Sequence, residues 1–486
     1  MKKLCNLIKC PFDIEIVGIA EDSRLVEVGY LFVATKGFNV DHFDFIDDAI
    51  ARGASAIITD KEISVSVPVV VVDNISDAFV KICQNFYGVN PTEFKFIGIT
   101  GTDGKTTTAS IIRRLLSSKE EVAYIGTNGV DILDKHYDSS NTTPCVPQLY
   151  EFLSIIKKEK CKTVVMEVSS EALLHNRIAG LKFKVICFTN ITEDHLNIHG
   201  TIENYRNAKF LLVNYLDDGG HIFINGDNDN CRMLTHDDMS TFGFNRNNDF
   251  VFSNVKYLDN CVNFTVNHES NSYAIFSPFL GKYNIYNVGL AFIVSLYLGI
   301  SSDVLIKQIK NMEPVAGRSE HLNFGQDFEI ILDYAHTYNG ILNILDSVSD
   351  YKRIITVTGA AGGREKEKRS QIGKLVLEKS DLVIFTMDDP RNEDVDLIID
   401  DMLRATTNSN YELIIDRKAA IYRAFNLALS GDVVLILGKG RDNYMAIGNE
   451  KIPYCDYDVI AQYFAWYFAF LPFLFCLTRY KIHSTI

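Results

Sequence analysis

With 486 residues, the chain is long enough for about three domains. Its 47% hydrophobic and 23% charged residues are ordinary for a soluble globular protein. The net charge of −14 argues against a nucleic-acid partner, so an anionic substrate would have to be held by local lysines, arginines and helix N-termini.

Cysteine usage indicates the cellular compartment. The ten cysteines include no C-x-x-C pair and no regular spacing. They are typical of reduced thiols in a cytosolic protein, and the N-terminus lacks the long apolar segment of a signal peptide. We therefore expect a cytoplasmic protein.

Residues 1–88 are predicted to form a small α/β domain. Helical stretches at 43–52 and 75–87 alternate with short β-type runs at 14–19, 30–34, 56–59 and 67–72. Ser23 lies in a polar turn before the second of these runs. Such a turn suits a polar ligand, and a solvated turn without function is the alternative.

Residues 89–312 are predicted to form a second α/β domain, after a linker at Asn90-Pro91. The β-type runs are 94–99, 122–125, 163–167, 185–189 and 221–225, with helical stretches between them. This alternation predicts a parallel sheet, in which ligands bind at the carboxyl ends of the strands.

The most informative stretch of this domain is a glycine loop. The apolar run 94–99 is followed by Thr-Gly-Thr-Asp-Gly-Lys-Thr and then by an amphipathic helical stretch, 109–116. In such a loop backbone N–H groups surround phosphates, Lys105 reaches the terminal oxygens and the Thr106 hydroxyl can bind Mg²⁺. The spacing has one residue more than the standard phosphate-binding motif, and a glycine-rich turn before a helix is the alternative.

Two further polar clusters follow predicted strands. Glu167 ends one apolar run, and His195 lies in the loop after the next. A carboxylate and an imidazole at neighbouring strand ends suit Mg²⁺ in a phosphoryl-transfer site. Taken singly, Glu167 could cap a helix, and His195 could be a hydrogen-bonded loop histidine.

Residues 313–460 are predicted to form a third α/β domain. Its β-type runs are 330–333, 353–358, 382–386 and 433–437. Polar residues again follow the strand ends, at 333–336, 359–364, 388–391 and 438–442.

Residues 461–486 form an apolar tail. Its first 17 residues carry no charge, but a bilayer span needs about 20 residues, and Pro472 interrupts the run. A packed terminal helix, a membrane-touching segment and the product of a shifted reading frame stay open, and a membrane span is not the favoured interpretation.

Together these motifs resemble those of the Mur ligase family, the ATP-dependent amide-forming enzymes of peptidoglycan assembly. The chain is most similar to the members that add the third residue of the stem peptide. The resemblance spans about residues 15–460 and rests on DSR…GYLFVATKG, GTDGKTTT, NTTP, MEVSSEAL…NRIAGLKF, FTNITEDHL…H, YRNAK, GKYNIYN, GRSE, DYAHTY, GAAGGREKEKR, DDPR and GKGRDNY.

The resemblance implies a fold and a reaction. A central P-loop-type ATPase domain is expected between a small N-terminal UDP-sugar-binding domain and a C-terminal Rossmann-like domain that binds the amino acid. The substrate carboxylate would attack the γ-phosphate of ATP, and the amine of an incoming amino acid would displace phosphate from the acyl phosphate. The implied reaction adds meso-diaminopimelate to UDP-MurNAc-L-Ala-D-Glu, with ATP and Mg²⁺ as cofactors.

The resemblance also implies roles for residues at matching positions. ATP would be bound by Gly101, Thr102, Asp103, Gly104, Lys105, Thr106, Thr107, Asn284, Asn287, Arg318 and Asp333. Catalytic roles would fall to Lys105, Glu167, His195, Lys209 and His336. Mg²⁺ would be held by Thr106, Glu167, His195 and Lys209 as a carbamate, although Lys209 by itself would be taken for a charge on a helix surface.

Substrate-binding roles follow from the same comparison. The UDP-MurNAc-dipeptide would be held by Thr142, Thr143, Ser169, His175 and Arg177, with Ser23 near the uridine. The incoming diamino acid would be recognised by Arg364, Asp388, Asp389, Pro390, Arg391, Gly438 and Asp442.

Several positions depart from the family pattern. Asp103 replaces a common Asn, Glu171 a His, His175 a Gln and Tyr338 a Pro. The DNPR motif reads DDPR, and GKGHEDY reads GKGRDNY. These departures affect the amino-acid end more than the phosphate loop.

Alternative functions therefore stay open. L-lysine could replace diaminopimelate, the acceptor could be that of a paralogous ligase, or the chain could bind nucleotide without turnover. Arg391 favours diaminopimelate, because arginine meets a second carboxylate with two parallel hydrogen bonds, whereas Asp389 nearby favours a lysine ammonium. The expected partners are small-molecule substrates, and a monomer is expected.

Overall fold

The computed structural model describes residues 1–35, 41–139, 141–258, 261–364 and 366–465. These residues form three successive α/β units, each built on its own sheet. The predicted α/β class with three units is confirmed, while the exact domain boundaries stay predictions.

The first unit is built on a parallel sheet with the spatial order Gly18–Ala20, Tyr30–Val33, Ala56–Thr59 and Val69–Val71. Its longest helix, Ile75–Tyr87, begins where the Asn74 side chain accepts from the Asp77 N–H and ends at Gly88. The other elements are Lys2–Lys3 paired with Glu15–Ile16, the α-helices Leu4–Leu7 and Ile46–Ala51, and the 3₁₀ turns Ser23–Leu25 and His42–Phe45.

The central unit contains an eleven-stranded sheet within the described ranges. Its spatial order is Lys135–Tyr137, Gly129–Ile132, Val122–Gly126, Thr163–Glu167, Lys95–Thr100, Phe183–Phe188, Leu216–Asn225, Met239–Gly243, Phe250–Leu258, Cys261–His268 and Asn271–Ser277. The middle of the sheet is parallel, as the alternation of strands and helices predicts.

Helices cover both faces of this sheet, and each face has its own apolar core. The α-helices are Lys105–Leu116, Val146–Lys158, Ser170–Leu174, Leu196–His199, Ile202–Phe210, Lys282–Tyr297 and Ser302–Lys310. Short 3₁₀ turns cover Pro91–Glu93, Leu211–Tyr215 and Cys231–Met233.

Both edges of the central sheet differ from the prediction of a purely parallel sheet. The hairpin formed by Gly129–Ile132 and Lys135–Tyr137 lies at one edge, and Cys261–His268 with Asn271–Ser277 at the other, all paired antiparallel. Buried and exposed residues alternate in several of these strands, so they lack the continuous apolar run that marks a fully buried strand.

The third unit has the strand order Glu320–His321, Glu329–Asp333, Val433–Leu437, Ile354–Thr358, Leu382–Phe385 and Tyr411–Leu413. All neighbours are parallel except the first pair. The helices are Tyr338–Ser347, Lys366–Lys379, Val395–Leu403 and Arg417–Leu427, and a hairpin joins Tyr444–Ile447 to Glu450–Pro453.

The predicted tail begins inside this third unit. Residues 456–465 are helical, and Phe464 is buried against Phe324 and Phe425. The remainder of the predicted tail, residues 466–486, lies outside the described residues. Over the part of the chain with described structure, no helix is both long and apolar enough to cross a bilayer.

Candidate functional site

The phosphate loop lies in the middle of the central sheet, as predicted. It connects strand Lys95–Thr100 to helix Lys105–Leu116, whose N-cap is Gly104. Gly104 has a φ of +83°, and a Cβ there would lie 2.4 Å from the Asn287 Oδ1 atom, so a glycine is required. The Lys105 ammonium donates to the Gly101 and Thr102 carbonyl oxygens at 3.0 and 2.9 Å, which holds its charge inside the loop.

The loop is anchored by residues that the sequence did not single out. The Asp103 carbonyl accepts from the Thr189 hydroxyl at 2.6 Å and from the Asn190 amide at 3.1 Å, and the Asp103 N–H donates back to Asn190 at 3.0 Å. Both residues follow the neighbouring strand, Phe183–Phe188. Their position in the FTNITEDH motif is the signal by which they could have been found.

The Asp103 side chain points to the third unit. Its carboxylate accepts from the Thr337 hydroxyl at 3.1 and 3.3 Å. Burial and the nearby Asp194 carboxylate raise the pKa of Asp103, against the Lys105 charge. The departure from Asn therefore places a carboxylate at the junction of two units.

Glu167 lies beneath the loop at the end of the neighbouring strand and is fully buried. Its carboxylate accepts from the hydroxyls of Thr106 at 3.1 Å and Thr127 at 3.2 Å, from the Thr127 N–H at 3.1 Å and from the Tyr124 hydroxyl. The following helix is capped by Ser169, so the helix-capping alternative for Glu167 is wrong. Tyr124 and Thr127 carry no motif from which this contact could be predicted.

His195 lies on the other side of the loop, in a left-handed backbone conformation with a φ of +54°. Its Nε2 atom is 3.4 Å from an Asp194 oxygen, and its Nδ1 atom is 3.6 Å from Glu171 Oε1. The Nδ1 atom is buried and has no hydrogen-bond partner among the described residues. Burial lowers the pKa of His195 to about 3 despite the attraction of Asp194, so the imidazole is neutral at pH 7.

Lys209 is buried in helix Ile202–Phe210, so the alternative of a surface charge is wrong. Its amine donates to the Gly101 carbonyl at 2.7 Å and lies 4.5 Å from the centre of the Tyr205 ring. Burial and the Lys105 charge lower the pKa of Lys209 well below its ordinary value. A buried amine thus lies directly against the phosphate loop, in surroundings that favour its neutral form.

The third unit closes over the loop through Arg318. The Arg318 guanidinium donates to the Thr106 hydroxyl at 3.1 Å and stacks 4.7 Å from the centre of the Tyr334 ring. The Asp333 carboxylate accepts from the Ser319 N–H at 2.5 Å and the Ala335 N–H at 2.6 Å, although burial raises its pKa. Asp333 therefore shapes the turns on both sides of strand Glu329–Asp333.

Two asparagines lie beside the first turn of the loop helix. The Asn287 amide donates to Asn284 Oδ1 at 3.0 Å, and the Asn284 amide donates to the Leu280 carbonyl at 2.7 Å. The Thr108 hydroxyl donates to Asn287 at 3.3 Å. This chain of hydrogen bonds holds in place the two asparagines that are predicted to bind ATP.

A cleft of about 980 Å³ joins these groups across the two units. The predicted residues that line it are Thr102, Asp103, Gly104, Lys105, Thr106, Thr107, Thr142, Ser169, Arg177, His195, Lys209, Asn284, Asn287, Arg318, Asp333, His336, Arg364, Arg391 and Asp442. Those outside its lining are Ser23, Gly101, Thr143, Glu167, His175, Asp388, Asp389, Pro390 and Gly438.

Of the residues predicted to bind the UDP-MurNAc-dipeptide, some line the cleft and others support the residues that line it. The Thr142 hydroxyl pairs with that of Thr127 at 3.1 Å beside the cleft. Thr143 is buried and bonds the Glu167 carbonyl and the Ser169 N–H, so it supports the strand end. Arg177 reaches the Thr143 carbonyl at 3.4 Å.

Two other predicted substrate residues lie away from the cleft. Ser23 is buried within the first unit, where a hydrogen bond from it lowers the pKa of Asp48, whereas Leu25 of the same turn is exposed. His175 follows the short helix Ser170–Leu174, and burial lowers its pKa.

The amino-acid end of the cleft carries two cations. Arg364 and Arg391 both line the cleft. Within the described ranges, no carboxylate forms an ion pair or hydrogen bond with either guanidinium. The Arg391 backbone has a φ of +52° and is held by its N–H donating to the Ala446 carbonyl at 3.0 Å.

The acids beside these arginines have partners of their own. The Asp389 carboxylate accepts from the fully buried Lys439 ammonium at 2.8 Å and from the Ala446 N–H at 2.9 Å. Lys439 also lies 3.4 Å from Asp442, and burial raises the pKa of Asp442 to about 6. Burial raises the pKa of Asp388 as well, against the nearby Arg417 and Lys439 charges. Lys439 belongs to the GKGRDNY motif, but the sequence did not predict it as a site residue.

The donor groups near the loop fit Mg²⁺ better than a transition metal. Among the residues with described positions, no cluster of three or more His, Cys, Asp or Glu has the arrangement of a metal site. Mg²⁺ commonly keeps several waters and takes one or two protein oxygens together with substrate phosphates. The Thr106 hydroxyl and the Glu167 carboxylate supply such oxygens at the loop.

Comparison with known proteins covers all three units. The model "Mur ligase family, catalytic domain" matches residues 14–86, "Mur ligase middle domain" matches residues 99–295, and "Mur ligase, glutamate ligase domain" matches residues 317–440.

Full-length relatives agree with these matches. A Bacillus cereus protein named UDP-N-acetylmuramoyl-L-alanyl-D-glutamate–2,6-diaminopimelate ligase is 34% identical over 484 residues, covering 95% of this chain and 98% of the relative. A Listeria monocytogenes protein of the same name is 36% identical over 456 residues, covering 91% and 93%. A solved structure of a ligase with that name aligns with a TM-score of 0.64 at 26% identity, covering 96% of this chain and 99% of the other.

Proposed function

The chain belongs to the Mur ligase family, and we propose that it joins meso-diaminopimelate to UDP-N-acetylmuramoyl-L-alanyl-D-glutamate. It is an ATP-dependent ligase that forms a C–N bond. The relatives described above are named for 2,6-diaminopimelate. The single observation that supports this amino acid for the present chain is a pair of arginines at one end of the cleft that have no acidic partner among the described residues.

Diaminopimelate differs from lysine by a second carboxylate at the far end of its side chain. Arg364 and Arg391 line the same cleft, and neither guanidinium is paired with an acid in the described parts of the chain. A guanidinium binds a carboxylate with two parallel hydrogen bonds, and a cation left without a partner in a pocket disfavours a ligand that lacks the carboxylate. The pocket therefore favours diaminopimelate over lysine.

Asp389, which replaces an asparagine of the family pattern, does not oppose diaminopimelate as the incoming amino acid. Asp389 would favour a lysine ammonium if its charge faced the ligand. Its carboxylate instead pairs with the buried Lys439 at 2.8 Å and lies outside the cleft lining. Asp442 does line the cleft, and it is placed to attract the ammonium group that both amino acids carry.

We propose that the nucleotide end transfers the γ-phosphoryl group. The substrate carboxylate attacks the γ-phosphorus, the bond to the β,γ-bridging oxygen breaks, and ADP leaves. Lys105 and the N–H groups of the loop stabilise charge on the transferred group, and Arg318 reaches the same place from the third unit through Thr106. The amine then attacks the acyl phosphate, and inorganic phosphate leaves as the amide forms.

Mg²⁺ would be held by Thr106, Glu167, His195 and Lys209 as a carbamate. When bound, it neutralises phosphate charge. The Nδ1 atom of His195, which has no hydrogen-bond partner in the described parts of the chain, and the oxygens at Glu167 are this chain's contributions to such a site.

Lys209 suits carbamylation because only a neutral amine adds carbon dioxide. Burial lowers the pKa of Lys209, which favours that neutral form, and the loss of one proton on addition leaves an anionic carbamate. The product would place a carboxylate-like group beside Gly101, where the amine lies now.

Purified enzyme with a panel of amino acids tests the proposal. We expect kcat/KM for meso-diaminopimelate to exceed that for L-lysine by about 10²-fold or more, and Arg391→Ala to abolish the preference. Arg423→Ala is the matched control, because Arg423 pairs with Glu412 on the exposed surface of the same unit. Equal or better use of L-lysine by the wild type would transfer the assignment to lysine. ATP consumption that is independent of the dipeptide substrate would contradict the ligase reaction itself.

A further inference from the structure

We propose that Arg441 is a positioning residue for the nucleotide site, acting through Glu320 on Arg318. The inference rests on the proposed function in one respect, because it takes Arg318 to contact the bound nucleotide. Arg441 belongs to the turn after strand Val433–Leu437, where the sequence departs from the family pattern.

Arg441 is fixed by an ion pair and by an aromatic ring. Its Nε atom donates to Glu320 Oε2 at 2.9 Å, and its Nη2 atom donates to Glu320 Oε1, which makes the pair bidentate. The guanidinium carbon lies 3.5 Å from the centre of the Tyr457 ring. The Glu320 side chain is only 15% exposed, so this contact is shielded from solvent on the acid side.

Glu320 in turn holds the backbone immediately before Arg318. The same Oε2 atom accepts from the Gly317 N–H at 2.7 Å, and the Gly317 carbonyl accepts from the Tyr334 N–H at 3.1 Å. Gly317 has a φ of +68°, and a Cβ there would lie 2.8 Å from the Arg441 nitrogen. The two turns are therefore in direct backbone contact.

Arg318 is held from its other side as well. The next residue, Ser319, donates its N–H to Asp333 at 2.5 Å, and the Arg318 guanidinium stacks on Tyr334. With both flanking residues fixed, the Arg318 side chain reaches Thr106 at 3.1 Å. Because a long side chain loses much conformational entropy on binding, fixing its backbone beforehand lowers the cost of its contact with a nucleotide.

Without Arg441, Glu320 would keep one N–H donor and lose both guanidinium bonds. The Gly317 turn would keep its hydrogen bonds with Glu320 and Tyr334, but the Glu320 side chain would no longer be fixed by the guanidinium, and Arg318 would sample positions away from Thr106. The expected consequence is weaker nucleotide binding, with the amino-acid pocket affected less.

The test measures the binding of a non-hydrolysable ATP analogue with Mg²⁺ to the full-length protein by titration calorimetry, without amino acid. We expect Arg441→Ala to weaken binding about tenfold, within the range for residues that share one ion-pair network. Glu320→Gln is expected to weaken it similarly, and Arg441→Lys less, because lysine keeps the charge but not the bidentate geometry. Arg423→Ala, which breaks an exposed arginine–glutamate pair, is the control with unchanged affinity.

A double-mutant cycle separates positioning from a general structural effect. If Arg441 acts through Arg318, the double variant Arg318→Ala/Arg441→Ala binds no more weakly than Arg318→Ala alone. Full additivity, or unchanged affinity in Arg441→Ala, would overturn the inference. Should Arg441→Ala fail to fold, as judged by circular dichroism, unchanged affinity in both Glu320→Gln and Arg441→Lys would overturn it equally. An error in the assigned amino acid would leave all these binding measurements as they are.

Discussion

Lys209 shows how burial changes the chemistry of one residue. A solvated lysine is charged at neutral pH, whereas this amine lies against the Gly101 carbonyl in a dry environment that favours the neutral form. Burial, rather than its position in a motif, lowers its pKa, and this is the property that the proposed carbamylation needs.

We expect Lys209→Ala to reduce turnover by about 10²-fold or more, because the site loses an anion that stabilises phosphoryl transfer. Excess acetate or bicarbonate should restore part of the activity. A carbamate carbon signal from ¹³CO₂ in the NMR spectrum of the wild type, lost in the variant, provides a second measurement. Full activity in the variant would contradict the assignment.

Asp442 gives the amino-acid end a pH dependence. Burial raises its pKa to about 6, so the carboxylate is ionised above pH 6 and protonated below it. Because only the ionised form attracts an ammonium group, we expect kcat/KM for the amino acid to fall as the pH decreases through about 6.

The Asp442→Asn variant should lose this acidic limb of the pH profile, whereas Asp458→Asn, at an exposed position, should keep it. The raised pKa also means that ionisation of Asp442 opposes folding. Its contribution to stability is present below the pKa of the unfolded chain and is lost as the pH rises through 6. If the pH dependence of kcat/KM in Asp442→Asn is identical to that of the wild type, a group other than Asp442 titrates.

At the scale of elements, the two turns at the amino-acid end depend on one buried lysine. Lys439 follows strand Val433–Leu437 and neutralises Asp389, which follows strand Leu382–Phe385. These strands are not direct neighbours, because Ile354–Thr358 lies between them. The ion pair therefore spans the sheet edge and holds the Arg391 turn in place.

Lys439→Met should lower the free energy of unfolding by about 3–5 kcal/mol, because it leaves a largely buried carboxylate unpaired. Urea unfolding measures the change. Lys374→Met, which removes an exposed pair with Glu378, should cost less than about 1 kcal/mol. Adding Asp389→Asn to Lys439→Met should recover part of the loss. A loss below 1 kcal/mol in Lys439→Met would mean that the pair does not hold the turn.

At the scale of the whole molecule, the C-terminal segment divides in two. Phe464 packs into the core of the third unit, whereas every proposed site residue precedes Asn443. A chain that ends after residue 465 should keep its catalytic activity, and a chain that ends after residue 462 should be destabilised. Loss of a buried phenylalanine costs about 3–5 kcal/mol.

The stability of the two shortened chains is compared by thermal unfolding, and their activity is compared by their kinetic constants. The variant Phe464→Ala in the full-length chain is the matched control for the second truncation. Lost activity with unchanged folding in the chain that ends after residue 465 would show that residues 466–486 contribute to the site.

Features that depend on short, contiguous stretches of the chain could be predicted before the fold was known. The apolar run, glycines and lysine of the phosphate loop predict a strand, a turn and a helix in immediate succession, and the structure has all three. The alternation of strands and helices predicted three α/β units with polar residues at the carboxyl ends of parallel strands. Burial drives such patterns directly, because one apolar face must be covered wherever it occurs.

The pairing of charges, in contrast, could be known from the fold alone. Arg318 reaches Thr106 across 212 residues, and Lys439 neutralises Asp389 across 50 residues. The sequence left Asp389 as an argument for lysine, because a charge can be assigned to a pocket only when its partners are known. The sequence did not predict the antiparallel edge strands for a related reason. Their alternation of buried and partly exposed residues identifies them as strands only once the neighbouring strands with which they pair are known. Electrostatic energies fall with distance in space rather than along the chain, and so these contacts required the fold.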